Sequence, residues 1–308
     1  MRTRHVLASL VAFTAALVTL SAPAPGEAAT LTRATCGSVI TTDAYLDRDL
    51  SCSFTGAATT GITIAADVTL DLRGHRLTCA ADCPGKGELS DPYPDAVNVL
   101  PGHTARVVHG SIDNWGLGIG SQSGPLSPTA TITVSDVTFA DNTIALGRMA
   151  NFHVTASRFD GNAFGYFVAD AGTATVTIDR SVFVDQTFAG VDANTETMRL
   201  THNLFAANKV GFSSGYLGDP PASGDYTLSQ NAFYGNTRDG VFVLEGGGAT
   251  ASLRSNLALD NGRYGFYAPG AVDLGGNRAG GNGSACVGIS CIRVTRSVVP
   301  MGDRPGGV

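Results

Sequence analysis

The sequence predicts an all-β solenoid, a rod of short strands wound into stacked coils. A frame recurs along the chain: a small polar residue, an aromatic two places on, and an amide three places after that. It appears as Ser157-Arg-Phe159 with Asn162, Ser181-Val-Phe183 with Gln186, Asn203 with Phe205 and Asn208, and Asn231 with Phe233 and Asn236. Later copies are Asn256, Ala258, Asn261 and Asn277, Ala279, Asn282, and an earlier one is Val137, Phe139, Asn142. The amides are 20, 24, 22, 28, 25 and 21 residues apart, the period of a solenoid whose units bury their apolar faces only against neighbours. Between amides the residues alternate, as in Thr131-Ile-Thr-Val-Ser135 and Thr175-Val-Thr-Ile-Asp179, without helical spacing, so each unit is made of strands.

Taken in order, Met1-Arg-Thr-Arg4, the apolar run Val6 to Leu20 and the small-residue stretch ending Ala28-Ala29 read as a secretory signal peptide over 1–29. The solenoid domain is expected over 30–299, with an entry cap and first coils over 30–78. Strands are expected in Gly61-Ile-Thr-Ile-Ala-Ala-Asp67 and in Val68-Thr-Leu-Asp-Leu-Arg-Gly-His-Arg-Leu77. The stretch Ala80 to Asp95, with four acidic residues and three prolines, is expected to project as a loop. The clearest repeats fill 131–285, and about nine or ten coils in all, stacked at roughly 4.8 Å, would make a rod roughly 45 Å long. Each repeat amide is expected at a bend, tolerating a left-handed backbone and bonding to the equivalent amide one coil away, with each Phe stacked inside. Residues 286–299 are expected to cap the far end, and 300–308 to form a flexible tail.

Six cysteines remain after cleavage, and their positions suggest the local bridges Cys36–Cys52, Cys79–Cys83 and Cys286–Cys291 among fifteen connectivities. Zinc is the alternative for Cys79 and Cys83, though their spacing is wrong for the usual pair. Loss of Arg2, Arg4 and Glu27 would take the formal charge from −6 to −7, which argues against a nucleic-acid or anionic-membrane partner.

The opening run Cys36-Gly, Ile40-Thr, Asp49-Leu-Ser-Cys52, Gly61-Ile and Val68-Thr-Leu-Asp-Leu-Arg-Gly-His75 resembles that of secreted bacterial proteins of the pectin-lyase-like superfamily. The closing Asn277-Arg-Ala-Gly-Gly-Asn282 with Cys286 and Cys291 is similar too. The resemblance covers essentially the whole mature chain and implies a single right-handed parallel β-helix. That architecture hosts lyases, hydrolases, epimerases, adhesins and proteins without assigned activity, so function has to be argued from the site.

After each amide comes Gly or Ala and a strand in which the residue after Gly points inward and the next outward. Stacking the coils then aligns Phe167, Asp192, Ser213, Phe242 and Tyr267 in one outward column, with Asn194 in the column beside it and Asp170 and Glu245 closing their strands. Rings that stack on sugars and carboxylates that accept hydroxyl hydrogen bonds point to a polysaccharide partner, and Asp170, Asp192 and Glu245 are the candidate acid and base. Calcium held by Asp170, Asp192, Glu196 and Glu245 is a further expectation. The strands also resemble alginate C5-epimerases in Tyr264-Gly-Phe-Tyr267-Ala-Pro269 and Gly165-Tyr-Phe-Val-Ala-Asp170. The first lacks that family's Asp and His and the second has an extra residue, so only Tyr264 and Asp170 carry over. Of the cations, Lys209 follows a turn amide and Arg148 is the better outward candidate near the groove. The five histidines of the mature chain keep no common register, and Trp115 occupies the amide frame of an early coil as turn packing. The sequence supports a secreted polysaccharide-interacting β-helix, or alternatively a noncatalytic structural rod. Whether it is an enzyme, a lyase or a hydrolase, stays open.

Overall fold

A computed structural model describes residues 31–53, 60–80, 94–121, 129–148, 150–168, 174–215, 223–244 and 248–295. The chain divides into two units, 1–30 and 31–308, and every described residue belongs to the second. These residues form a right-handed parallel β-helix: every strand pairing is parallel, and no helix is present among them. The front face is an 11-stranded sheet running from Ser38–Ile40 to Ser284–Val287. A second sheet, of 20 strands, bends over a corner into a side face of longer strands and a back face of shorter ones. The strands Thr104–Asp113 and Ala130–Ala140 run through that corner and pair along both faces.

Eleven front strands mean eleven coils rather than nine or ten, and a rod roughly 48 Å long. The repeat frame does not reveal the first four, Ser38–Ile40, Thr60–Ile64, Asp95–Val99 and Leu117–Gly120, because no amide stands at the frame position before them. Before the fourth, Trp115 takes the amide's place. It is fully buried, its backbone N–H donates to Asn142 Oδ1 at 2.9 Å and its indole N–H to the Leu77 carbonyl at 3.0 Å. The expected loop Ala80 to Asp95 ends in a strand, since Asp95 opens Asp95–Val99.

The repeat residues hold the rod together as expected. The N–H of Asn142 donates to Asn162 Oδ1 at 3.0 Å, that of Asn162 to Gln186 Oε1 at 3.1 Å, and the chain of bonds continues through Asn208, Asn236, Asn261 and Asn282. Each side-chain amide also donates to the carbonyl of the stacked-residue position one coil back, as Asn208 does to Phe183 at 3.1 Å. A second ladder runs through Ser157, Ser181, Asn203, Asn231, Asn256 and Asn277. One expectation needs correcting. The left-handed residue is the one before the ladder position, such as Asp141, Asp185, Ala207 and Asp260 before the amides. That residue makes the bend and leaves the amide itself to bond between coils.

Inside, Phe139, Phe159, Phe183, Phe205 and Phe233 stack with ring centroids 5.0, 4.2, 4.7 and 4.9 Å apart. Where Ala258 interrupts the column, Phe266 enters from the front strand and meets Phe233 edge-on at 6.2 Å. The glycines opening the front strands make room for this column: a Cβ on Gly165 would meet the Phe183 ring at 2.5 Å and the Gly190 carbonyl oxygen at 2.4 Å. Cys36–Cys52 and Cys286–Cys291 staple the two ends. Cys83, and with it the expected third bridge, lies outside the described residues, as do residues 1–29 of the expected signal peptide and 300–308 of the expected tail.

Candidate functional site

The front face carries the candidate site. Its register places Phe167 beside Asp192, Asp192 beside Ser213, Ser213 beside Phe242 and Phe242 beside Tyr267, the expected column. Strict alternation fails at the glycines, however. Gly165 and Tyr166 both face the core, so the residue before each glycine also faces out. A second outward column therefore runs Leu117, Ile144, Phe164, Ala189, Val210, Asp239, Tyr264. The sequence reading missed it, although Tyr264 and its neighbours carried the signal.

The two columns together make an aromatic surface outside the core. Phe164 stacks on Phe167 at 4.6 Å and on Phe188 at 5.2 Å. Three coils further on, Phe242 stacks on Tyr267 at 5.0 Å, and Tyr267 meets Tyr264 at 4.9 Å. Cations border the rings. Lys209 lies 5.1 Å from the Phe188 ring, and Arg263 lies 5.0 Å from Phe242 and 4.7 Å from Tyr264. Arg263 grips Asp239 with two hydrogen bonds of 2.9 and 2.6 Å, and Arg238 adds a contact at 3.4 Å. Two guanidinium groups thus share one buried carboxylate, leaving positive charge beside half-buried rings. Towards the other end, Arg148 reaches Asp95 at 3.4 Å.

The centre of the column is closed. Asp192 is 3% exposed and Ser213 is fully buried, so the expected open row of acids and rings narrows to the half-buried Phe188, Phe242, Tyr264 and Tyr267. Ser213 Oγ has no hydrogen-bond partner among the described residues. Asn194 is buried and structural: its N–H donates to Glu196 Oε2 at 2.7 Å, and its carbonyl accepts the Tyr226 hydroxyl at 2.6 Å. Glu196 faces the interior, where Tyr166 donates to it at 3.3 Å. Burial pushes its carboxyl above the usual range, against the pull of nearby N–H groups and of Tyr166, and burial likewise raises Tyr166 and Tyr226. Glu196 therefore does not join Asp192 in the expected calcium cluster, and no group of three potential metal ligands gathers among the described residues. Asp170 and Glu245 lie outside the described residues. The histidines stay scattered, His153 against Thr177 and His202 against Asp179.

In the first coils the segments entering the front strands Thr60–Ile64 and Asp95–Val99 hold seven and fifteen residues, but from Leu117–Gly120 onward coil length varies almost wholly at the opposite edge of this face. The segments leaving the front strands, from Leu117–Gly120 to Tyr264–Tyr267, hold nine, two, seven, three, ten, six and four residues, whereas those entering from the back strands hold three or four. Length variation confined to one edge is how solenoids build a binding face.

No family model matches the chain, and no curated protein matches it by sequence. Among solved structures it is similar to three variant forms of the periplasmic alginate epimerase AlgG. The first has a TM-score of 0.58 at 13% identity, covering 84% of this chain and 76% of that one. The others have TM-scores of 0.54 and 0.52 at 13% and 12% identity, covering 83% and 84% of this chain and 75% and 77% of theirs. The likeness establishes the fold, a parallel β-helix.

Proposed function

We propose that the chain is an exported protein that binds polysaccharide on the front face, and that the polysaccharide is acidic. The observation that carries this reading is the cluster of Phe188, Phe242, Tyr264 and Tyr267 bordered by Lys209, Arg238 and Arg263. Half-buried rings offer stacking surfaces to pyranose faces, and arginines already close to those rings offer forks to sugar carboxylates. The solved structures of like fold belong to an alginate epimerase, which agrees with such a partner, and disulfides at both ends agree with an oxidising compartment. Chemistry on the glycan would rest on Asp192 with Asp170 or Glu245. The burial of Asp192, and the missing Asp and His after Tyr264-Gly-Phe266, favour binding over processing. Affinity electrophoresis in gels containing uronate-rich or neutral polysaccharide tests the reading. Retardation by the acidic polymer that weakens with salt supports it, and equal mobility in every gel rejects it.

A further inference from the structure

The back face carries a feature the front-face reading does not use. Its strands are three residues long, and their outward positions form two columns in register. From Arg158–Asp160 to Arg278–Gly280, the first column runs Val182, Leu204, Ala232, Leu257. The second, two residues along each strand, runs from Val184 to Leu259 and includes Tyr234, which is 47% exposed. All are apolar apart from the Tyr234 hydroxyl, and all point away from the core.

Folding does not demand this. The coil before the stretch puts Arg158 and Asp160 at the same positions, joined by an ion pair of 2.7 Å, and the coil after it puts Arg278 and Gly280 there. On the neighbouring side face the outward column is polar over the same coils, running Thr133, His153, Thr177, Arg199, Thr227, Ser252 before it reaches Val272. A flat apolar patch held to four consecutive coils and rimmed by polar residues offers a contact surface to another molecule. The side chains are aliphatic apart from Tyr234, which suits another protein surface better than a sugar ring.

The corners of the patch say which surface. The corner entering these short strands carries Arg180 and His202, with Arg254 nearby; Asp179 there pairs with both Arg180 and His202 at 3.0 Å. The corner leaving them carries Asp185 and Asp260, while its cations Lys209, Arg238 and Arg263 turn to the front-face rings. A two-fold axis parallel to the rod sets the entering corner of one copy against the leaving corner of another at the same level. Arg180, whose side chain is 70% exposed, then meets Asp185 of the second copy, because both flank Val182–Val184. An axis across the rod would instead set acid against acid.

We propose that this apolar stretch of the back face is a self-association surface, on which a second copy of the chain packs with its rod parallel to the first. The apolar core covers on the order of 200 Å², below the roughly 800 Å² per partner of a standard interface. The corners supply the remaining rim, and the dimer is concentration-dependent.

Sedimentation velocity on the purified protein over a wide concentration range tests this. The expected result is a monomer–dimer equilibrium that Leu204→Glu with Leu257→Glu weakens by about tenfold or more, with unchanged circular dichroism because both side chains point outward. Asp185→Arg alone should weaken the dimer, and adding Arg180→Glu should restore it. Strengthening by Asp185→Arg alone overturns the parallel arrangement. A monomer at every concentration overturns the proposal, as does a dimer insensitive to the leucine changes. Monomers whose retention on insoluble glycan falls with the leucine changes overturn it in favour of a glycan-facing surface.

Discussion

Asn236 shows how one side chain joins three coils. Its Oδ1 accepts from the backbone and side-chain N–H groups of Asn208, while its side chain donates to Asn261 and to the Phe205 carbonyl. Asn236→Ala strands these buried groups at about 1–3 kcal/mol each, so a loss of about 3–5 kcal/mol is expected in denaturant unfolding. The ladder was legible because amides recur at fixed places in the frame. The left-handed position was not, because residues as different as Asp185, Ala207 and Gly235 fill it and no pattern marks it. Glu196 makes a separate prediction. Its carboxyl is raised in the folded state by burial, so its contribution is present below the unfolded glutamate pKa of about 4.3 and is lost as pH rises through the folded value. Asp113 shifts in the same direction, also through burial. The melting temperature of Glu196→Gln should therefore fall less steeply than that of the parent as pH rises from about 4, and parallel curves would show that Glu196 ionises freely in the fold.

At the scale of the strand, the glycines that open the front strands decide what the face can display. Gly190 has the Phe205 ring at 2.6 Å and the Gly211 carbonyl oxygen at 2.7 Å from where a Cβ would sit. One contact is with backbone and the other with a packed ring, so Gly190→Ala should cost about 1–3 kcal/mol, measurable as a lower denaturant midpoint with unchanged strand content. The same crowding explains why period-two reasoning found one outward column and missed the other. It placed Phe167, Asp192, Ser213, Phe242 and Tyr267 correctly by counting forward from glycine. It lost Phe164 and Asp239 because the glycine and the residue after it both face the core. Burial of Asp192 and Ser213 was likewise illegible, since alternation gives direction but not what lies over a side chain.

For the whole molecule, the fold was readable because eleven coils repeat one solution, and the coils that escaped are those where Trp115 or no amide stands in the frame. The site was less readable because its cations come from the turn residues Lys209, Arg238 and Arg263, which the repeat leaves free to vary. With glycan on the front face and a second copy on the back face, variants in one should leave the other intact. The proposed binding rests on the half-buried rings Phe242 and Tyr267. The direct measurement is isothermal titration of an acidic polysaccharide into the parent protein and into Phe242→Ala with Tyr267→Ala, each checked for an unchanged melting temperature. Heat of binding is expected for the parent, with about a tenfold or greater loss of affinity in the variant. Equal affinity in the two proteins, or no binding by the parent, would contradict the proposed binding.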